Sequence, residues 1–331
     1  MIALPCVPPR AEAARYPTTT IMNAAIKRVA SRLKPYLRWA ILGGTLFFLA
    51  KALKEHWQEV VAIRVSGSGW MYLAIALGVT LLAHIWTGWV WSWILREFDQ
   101  PVAGLWGIQV YLKTNIAKYL PGNVWHFYGR VSAAKAAGIP LTVATLSVLI
   151  EPLLMAAAAL LIALLSSPQA SMGVQLPILV AVLMAVHPGV LNPLLQHLSK
   201  LKGKAKGTVP PDNQVIRVKR YPLVPLLGEL AFVGLRGTGF LLTILALRPL
   251  APVESLLLFN AFSLAWLLGL VIPGAPGGIG VFEATALTLL DGHFSSGVVL
   301  SAVALYRLVS TFAEAGGAGL AWLLPSRGQR C

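Results

Sequence analysis

Charge is scarce in this chain. Asp, Glu, Lys and Arg make up 12% of its 331 residues, where an average soluble domain has roughly 25%. The little charge present leans one way, with 12 acidic against 27 basic residues and a net charge of +15. Cysteine is nearly missing as well. Cys6 and Cys331 stand at opposite ends, which excludes a disulfide framework and a cysteine-based metal site. The 6 histidines are scattered without metal-ligand spacing. No Ser-His-Asp or paired-carboxylate arrangement stands out either. No metal or other cofactor is expected, and the chain is read as a non-enzyme.

What fills the chain is apolar. Hydrophobic residues make up 57% of it, and its mean hydropathy is +0.72. Runs of about 20 such residues span a hydrocarbon core of ~30 Å, so the fold class is an all-α polytopic membrane protein. Full spans are expected near 36–53, 70–95, 140–166, 174–196, 222–247 and 297–323. The net positive charge does not point to nucleic acid, because basic residues fill the ends and loops, as cytoplasmic flanks facing anionic lipid do. Residues 1–35 are expected to form a basic, disordered cytoplasmic N-terminus. Their first part is Pro-rich and unlike a signal peptide, and Met22 is an alternative start.

Two segments break the pattern. Residues 101–137 carry Gln109, Lys113, Asn115, Lys118, His126, Arg130 and Lys135 around "KYLPGNVWHFYGR", too polar for two lipid-facing crossings. Residues 250–292 are more apolar but contain "PGAPGGIG". Broken helices at membrane depth need protein or a water-filled cavity to satisfy their freed backbone groups, so both segments are read as re-entrant hairpins.

The two segments also echo each other. Arg96 and Arg248 stand 152 residues apart, as do Pro121 and Pro273, and Pro101 and Pro252 stand 151 apart. Span 70–95 maps onto 222–247, and 140–166 onto about 292–318. The chain therefore reads as a duplication, with repeat 1 over 36–166 and repeat 2 over 167–324, followed by a short tail at 325–331. Each repeat has three spans plus one hairpin. An odd number of crossings inverts the second copy. The loop at 197–221, with Lys200, Lys202, Lys204, Lys206, Arg217, Lys219 and Arg220, is then cytoplasmic, together with both termini. The expected location is the inner membrane.

Charges inside spans mark candidate sites, because each costs ~2.5–3.5 kcal/mol near the bilayer centre on insertion scales. Glu151, Arg236, Arg307 and Glu314 are such residues. Arg307, Ser310, Thr311 and Glu314 make one polar stripe at i, i+3, i+4 and i+7, and Arg236 stands among Gly228, Gly234, Gly237 and Gly239. In the first hairpin, Asn123, His126 and Arg130 share a face if the segment after Pro121 and Gly122 is helical, with Pro121 in its first turn. In the second, Pro273, Gly274, Pro276, Gly277, Gly278 and Gly280 allow close backbone approach, and Glu283 takes nearly the place of Arg130 with opposite charge. For each charge the plainer alternative is an ion pair joining helices; for the glycines it is a tight turn. His84 and the other scattered histidines read as interfacial or packed. Trp86, Trp89, Trp91 and Trp93 read as an interface belt.

The motifs "KYLPGNVWHFYGR" and "PGAPGGIGVFEA" resemble the membrane region of lysylphosphatidylglycerol synthases, a broad flippase-like family of bacterial and archaeal membrane proteins. The resemblance runs from about residue 30 through nearly the whole chain. It implies the membrane part alone, without an aminoacyltransferase domain. It further implies that the chain moves or presents an anionic, polyprenyl or aminoacylated lipid. Arg130, Arg236 and Arg307 would guide the headgroup, and Glu151, Glu283 and Glu314 would pair those arginines when no lipid is bound. The competing expectation is a non-catalytic subunit supporting a lipid- or glycan-modifying enzyme. The expected partners are membrane lipids, with such an enzyme as a second candidate; oligomeric state is left open.

The charge pattern makes a topological prediction. With single cysteines at Ser171 and Gly203, an impermeant thiol reagent on intact cells should label the first and spare the second. The reverse pattern would overturn the inside-positive assignment.

Overall fold

The computed structural model describes residues 54, 57, 58, 64–119, 124–167, 172–193, 218, 220–272 and 278–323. The expected span 36–53, the N-terminal 1–35, the tail 325–331 and nearly all of the loop 197–221 lie outside them. So do Pro121, Gly122, Asn123, Pro273, Gly274, Pro276 and Gly277.

The described residues are helical, with no strand among them. In order they form α1 (Gly67–Glu97), α2 (Gly104–Asn115), a 3₁₀ turn (Ile116–Tyr119), α3 (Trp125–Ala136), α4 (Leu141–Leu165), α5 (Met172–Ala185), α6 (Leu223–Leu245), α7 (Pro252–Val271), α8 (Val281–Leu290) and α9 (Ser296–Leu323). Five of these, α1, α4, α6, α7 and α9, are long and apolar enough to cross a membrane. The protein is a multi-pass, all-α membrane protein.

The helix ends follow from local chemistry. Ser66 starts α1 by accepting a hydrogen bond from Gly69 N at 3.1 Å. Asp99, at φ 57, turns the chain out of the helix just before Pro101. Gly138, at φ 82, ends α3 in a left-handed cap. There Ile139 N donates to Ala134 O at 3.0 Å and Gly138 N to Lys135 O at 2.9 Å, the paired bonds of a Schellman motif. Pro140 then opens α4.

Two expectations are corrected. The apolar run 174–196 is not one continuous helix: α5 has 14 residues and ends at Ala185. His187 precedes Pro188, which disfavours helical backbone at the residue before it, and helix resumes only at 188–193. The two segments expected as like re-entrant hairpins, 101–137 and 250–292, open with helices of unequal length. With 20 residues α7 could cross by itself, whereas the 12 residues of α2 span only about 18 Å. α3 begins at Trp125 with Val124 at its N-cap, and the expected place of Pro121 in a first helical turn lies outside the described residues.

Long helix, two hairpin helices, long helix is the order in both α1–α4 and α6–α9. The central contact is α1 against α6, while α4 packs on α6 and α7, and α9 packs on α1 and α2. One core gathers Trp91, Ile94, Leu95, Trp106, Ile150 and Leu154 from the first half. Another gathers Phe240, Phe262, Phe282 and Tyr306 from the second, with ring centroids 5.5 to 6.4 Å apart.

Glycine sets how close the helices come. A Cβ on Gly88 would lie 2.9 Å from Ile108 Cα, and one on Gly107 would lie 2.9 Å from Gly88 O, so α1 and α2 cross nearly backbone to backbone. Gly228, Gly237 and Gly239 likewise abut Val90, Phe259 and Thr80, but a Cβ on Gly234 meets nothing within 4 Å. In the second hairpin Gly278, at φ 71, faces Gly269 of α7, where an added Cβ would come within 3.1 Å of the Gly269 Cα. Trp86, Trp89, Trp91 and Trp93 of α1 do not form one belt. Trp86 donates to Gly228 O at 2.8 Å, and Trp91 is buried and stacked on Trp106.

Gly88→Ala should therefore lower stability by ~1–3 kcal/mol through overpacking, read as a lower melting temperature in detergent. Gly234→Ala should leave it unchanged or slightly raised, since Ala is the better helix former.

Candidate functional site

The polar stripe on α9 holds several elements at once. Glu314 accepts from Lys118 Nζ at 2.5 Å and lies 3.3 Å from His84 Nε2. Thr311 Oγ1 stands 3.5 Å from the Tyr119 hydroxyl. Ser310 Oγ accepts from Arg236 at 3.2 Å, and Arg307 Nε donates to Glu283 at 2.8 Å. The four stripe residues thus reach the end of the first hairpin arm, α1, α6 and α8. Lys118 and Tyr119 come from the 3₁₀ turn that follows α2, which brings that turn against the middle of α9.

Arg236 is the unusual member. It is 8% exposed, contacts His84 Nε2 at 3.3 Å and Ser310, and lies over the Tyr306 ring at 5.1 Å. Tyr306 in turn donates to Arg236 O at 3.0 Å. No carboxylate among the described residues forms an ion pair with it, and its Nε has no hydrogen-bond partner. Among the described residues, Lys118, Arg236 and Arg307 therefore share this region with two carboxylates, Glu283 and Glu314. His84 and Arg236, which touch here, are themselves 152 residues apart.

A second group lies around Arg130. Its guanidinium donates to Glu151 and is flanked by the rings of Tyr111 at 4.5 Å and Phe127 at 5.4 Å. Arg130 is 3% exposed, so it is enclosed by its own hairpin and α4 instead of standing open to a headgroup. Glu151 is followed by Pro152 within α4. Within electrostatic reach of both is Glu229 of α6, fully buried, with no hydrogen-bond partner among the described residues for either carboxylate oxygen.

The two hairpins carry ion pairs of opposite polarity. Arg130 on α3 pairs with Glu151 on α4, and Glu283 on α8 pairs with Arg307 on α9. Glu283 has a further task, accepting from Gly280 N at 2.5 Å to start α8, where Gly280 holds φ 86. Of the three expected carboxylate partners, Glu151 and Glu283 take arginines, but Glu314 takes Lys118 and His84. His126 is buried on α3 against Phe127, with centroids 3.8 Å apart; Asn123 lies outside the described residues.

Two residues escaped the sequence reading. Glu229 was visible as an acidic residue inside an apolar run. His84, read as a packed histidine, sits between Arg236 and Glu314, and its spacing of 152 from Arg236 was the available signal.

Breaking one side of the Arg130–Glu151 pair should strand a buried charge. Arg130→Met is expected to cost ~3–5 kcal/mol, seen as loss of folded, monodisperse protein. Adding Glu151→Leu to that variant should recover part of the loss, because the stranded carboxylate is then gone.

No family model matches the chain. It is similar, at 36% identity over 102 residues, to the uncharacterized protein slr0712 of Synechocystis sp.. That stretch covers 30% of this chain and 32% of the relative, so the match spans about a third of each.

Proposed function

We propose that the protein translocates an anionic lipid headgroup between leaflets, or presents it at membrane depth, as a flippase-like protein. The observation that carries this reading is Arg236, a buried guanidinium without a carboxylate partner among the described residues, in a region where cations outnumber carboxylates. A buried positive surplus is costly unless an anion answers it, and the guanidinium fork suits a phosphate. Lys118 and Arg307 flank the route, while Arg130 stands apart from it.

An apolar groove favours a lipid over a soluble anion. Ile85, Leu105, Ile108, Leu112 and Leu320 line it between α1, α2 and α9. It adjoins the same two elements, α2 and α9, that bring Lys118 to Glu314, so acyl chains would stay in this groove while the headgroup passes. The repeated helix order, the contact between residues 152 apart and the opposite-sign ion pairs support reading the halves as inverted repeats with re-entrant hairpins.

Arg236→Gln should slow leaflet exchange of a labelled phosphatidylglycerol in reconstituted vesicles by about tenfold or more, the weight of one charge-assisted hydrogen bond. Arg236→Lys should fall between, lacking the fork. Wild-type rates for Arg236→Gln at equal inserted protein would remove this route. In that case a partner enzyme co-purifying at fixed stoichiometry would put the supporting-subunit reading first.

A further inference from the structure

One nitrogen of His84 faces two neighbours that ask opposite things of it. Its Nε2 lies 3.3 Å from Arg236 Nη1 on α6 and 3.3 Å from Glu314 Oε1 on α9. A guanidinium only donates hydrogen bonds, and a carboxylate only accepts them. Toward Arg236 the nitrogen must therefore offer its lone pair, and toward Glu314 it must offer a hydrogen. A neutral imidazole nitrogen cannot do both, so one contact is attractive and the other repulsive in any single state. The far side of the ring does not choose between them. Nδ1 is buried beside Phe232 with no hydrogen-bond partner among the described residues, whether or not it carries the hydrogen.

The surrounding charges make the choice. Glu314 from α9, Arg236 from α6 and Lys118 from the 3₁₀ turn all act on His84. Glu314 is already answered by the Lys118 ammonium at 2.5 Å, whereas Arg236 has no carboxylate partner among the described residues. The unanswered guanidinium is the stronger rival, so Nε2 accepts from Arg236 and the ring hydrogen sits on Nδ1. An anion beside Arg236, on whichever edge of the guanidinium it binds, offsets the charge that gives this rival its strength. Arg236 then keeps the anion and the Ser310 hydroxyl as acceptors. Glu314, which has one oxygen without a partner, gains a donor. The balance tips to the carboxylate.

We propose that His84 is a tautomeric switch: its Nε2 accepts from Arg236 in the lipid-free protein and donates to Glu314 once an anionic headgroup sits at Arg236. This rests on the headgroup reading above. In the change, water accepts the Nδ1 proton and water supplies one to Nε2, so the ring stays neutral and no net proton is taken up. The polar tie of α1 moves from α6 to α9, which makes the pairing of these helices respond to the headgroup. His84 is thus a positioning residue and does not itself hold the lipid.

The test is nitrogen NMR of the purified full chain in detergent at neutral pH, with isotope-labelled histidine. The His84 signals are identified by their loss in His84→Gln, whose amide can accept from Arg236 and donate to Glu314 at once. Should that variant not fold, His84→Asn serves instead. Lipid-free wild type should carry hydrogen on Nδ1 alone, and saturating short-chain phosphatidylglycerol should shift it to Nε2. Hydrogen on Nε2 without lipid, hydrogen on both nitrogens, or an unchanged Nδ1–H with lipid bound would each overturn the switch. If wild type binds no lipid, the headgroup reading fails, and Arg236→Met then tests the switch by itself. With the rival donor gone, the hydrogen should move to Nε2, and an Nδ1–H that persists overturns the proposal. Should Arg236→Met not fold, the lipid-free tautomer of wild type decides, Nδ1–H supporting the switch and Nε2–H ending it.

Discussion

The Glu314 carboxylate is the tie on which the interior depends. It sits in the middle of α9, is almost fully buried, and takes the ammonium of Lys118 together with the imidazole of His84. An ammonium drawn that far from water is tolerable only beside an opposite charge, so the contact fixes where the end of the first hairpin arm lies. Tyr119 and Thr311 add a weaker second point one turn away. Once α2 is held against α9, α1 follows, because Gly88 and Gly107 let α1 and α2 cross at backbone distance. The region beside Arg236 is thereby walled by α1, α6, α9 and the hairpin.

Buried ion pairs are weak evidence of stability, since desolvation offsets much of their attraction. Their value here is placement. Arg130 with Glu151, and Glu283 with Arg307, each lock the second helix of a hairpin to the long helix that follows it. A slip by one turn in either would strand two charges in an apolar setting.

Much of the architecture was legible beforehand, for identifiable reasons. The spans at 70–95, 140–166, 222–247 and 297–323 match α1, α4, α6 and α9 closely, because an apolar run of sufficient length has few other stable states in lipid. Less legible were the lengths of the hairpin arms. Composition alone does not separate a 20-residue helix that ends at Val271 from a shorter arm, and hydropathy over 174–196 hides the local effect of Pro188. The stripe of Arg307, Ser310, Thr311 and Glu314 was evident from spacing. Its partners were not, since each arrives from a different element.

Composition and periodicity thus decided the class of the protein, the number of polar interruptions and the helix faces that must turn inward. These are local properties, set by the cost of exposing polar backbone or charge to hydrocarbon. Which charge meets which was decided only by packing. Arg130, in a polar hairpin, and Arg236, among small residues of an apolar span, both read in sequence as candidate headgroup guides. One is enclosed by Tyr111, Phe127 and Glu151, and the other is left facing His84 and Ser310. That difference depends on helix crossings between residues far apart in the chain, and spacing along one strand of sequence carries no information about them.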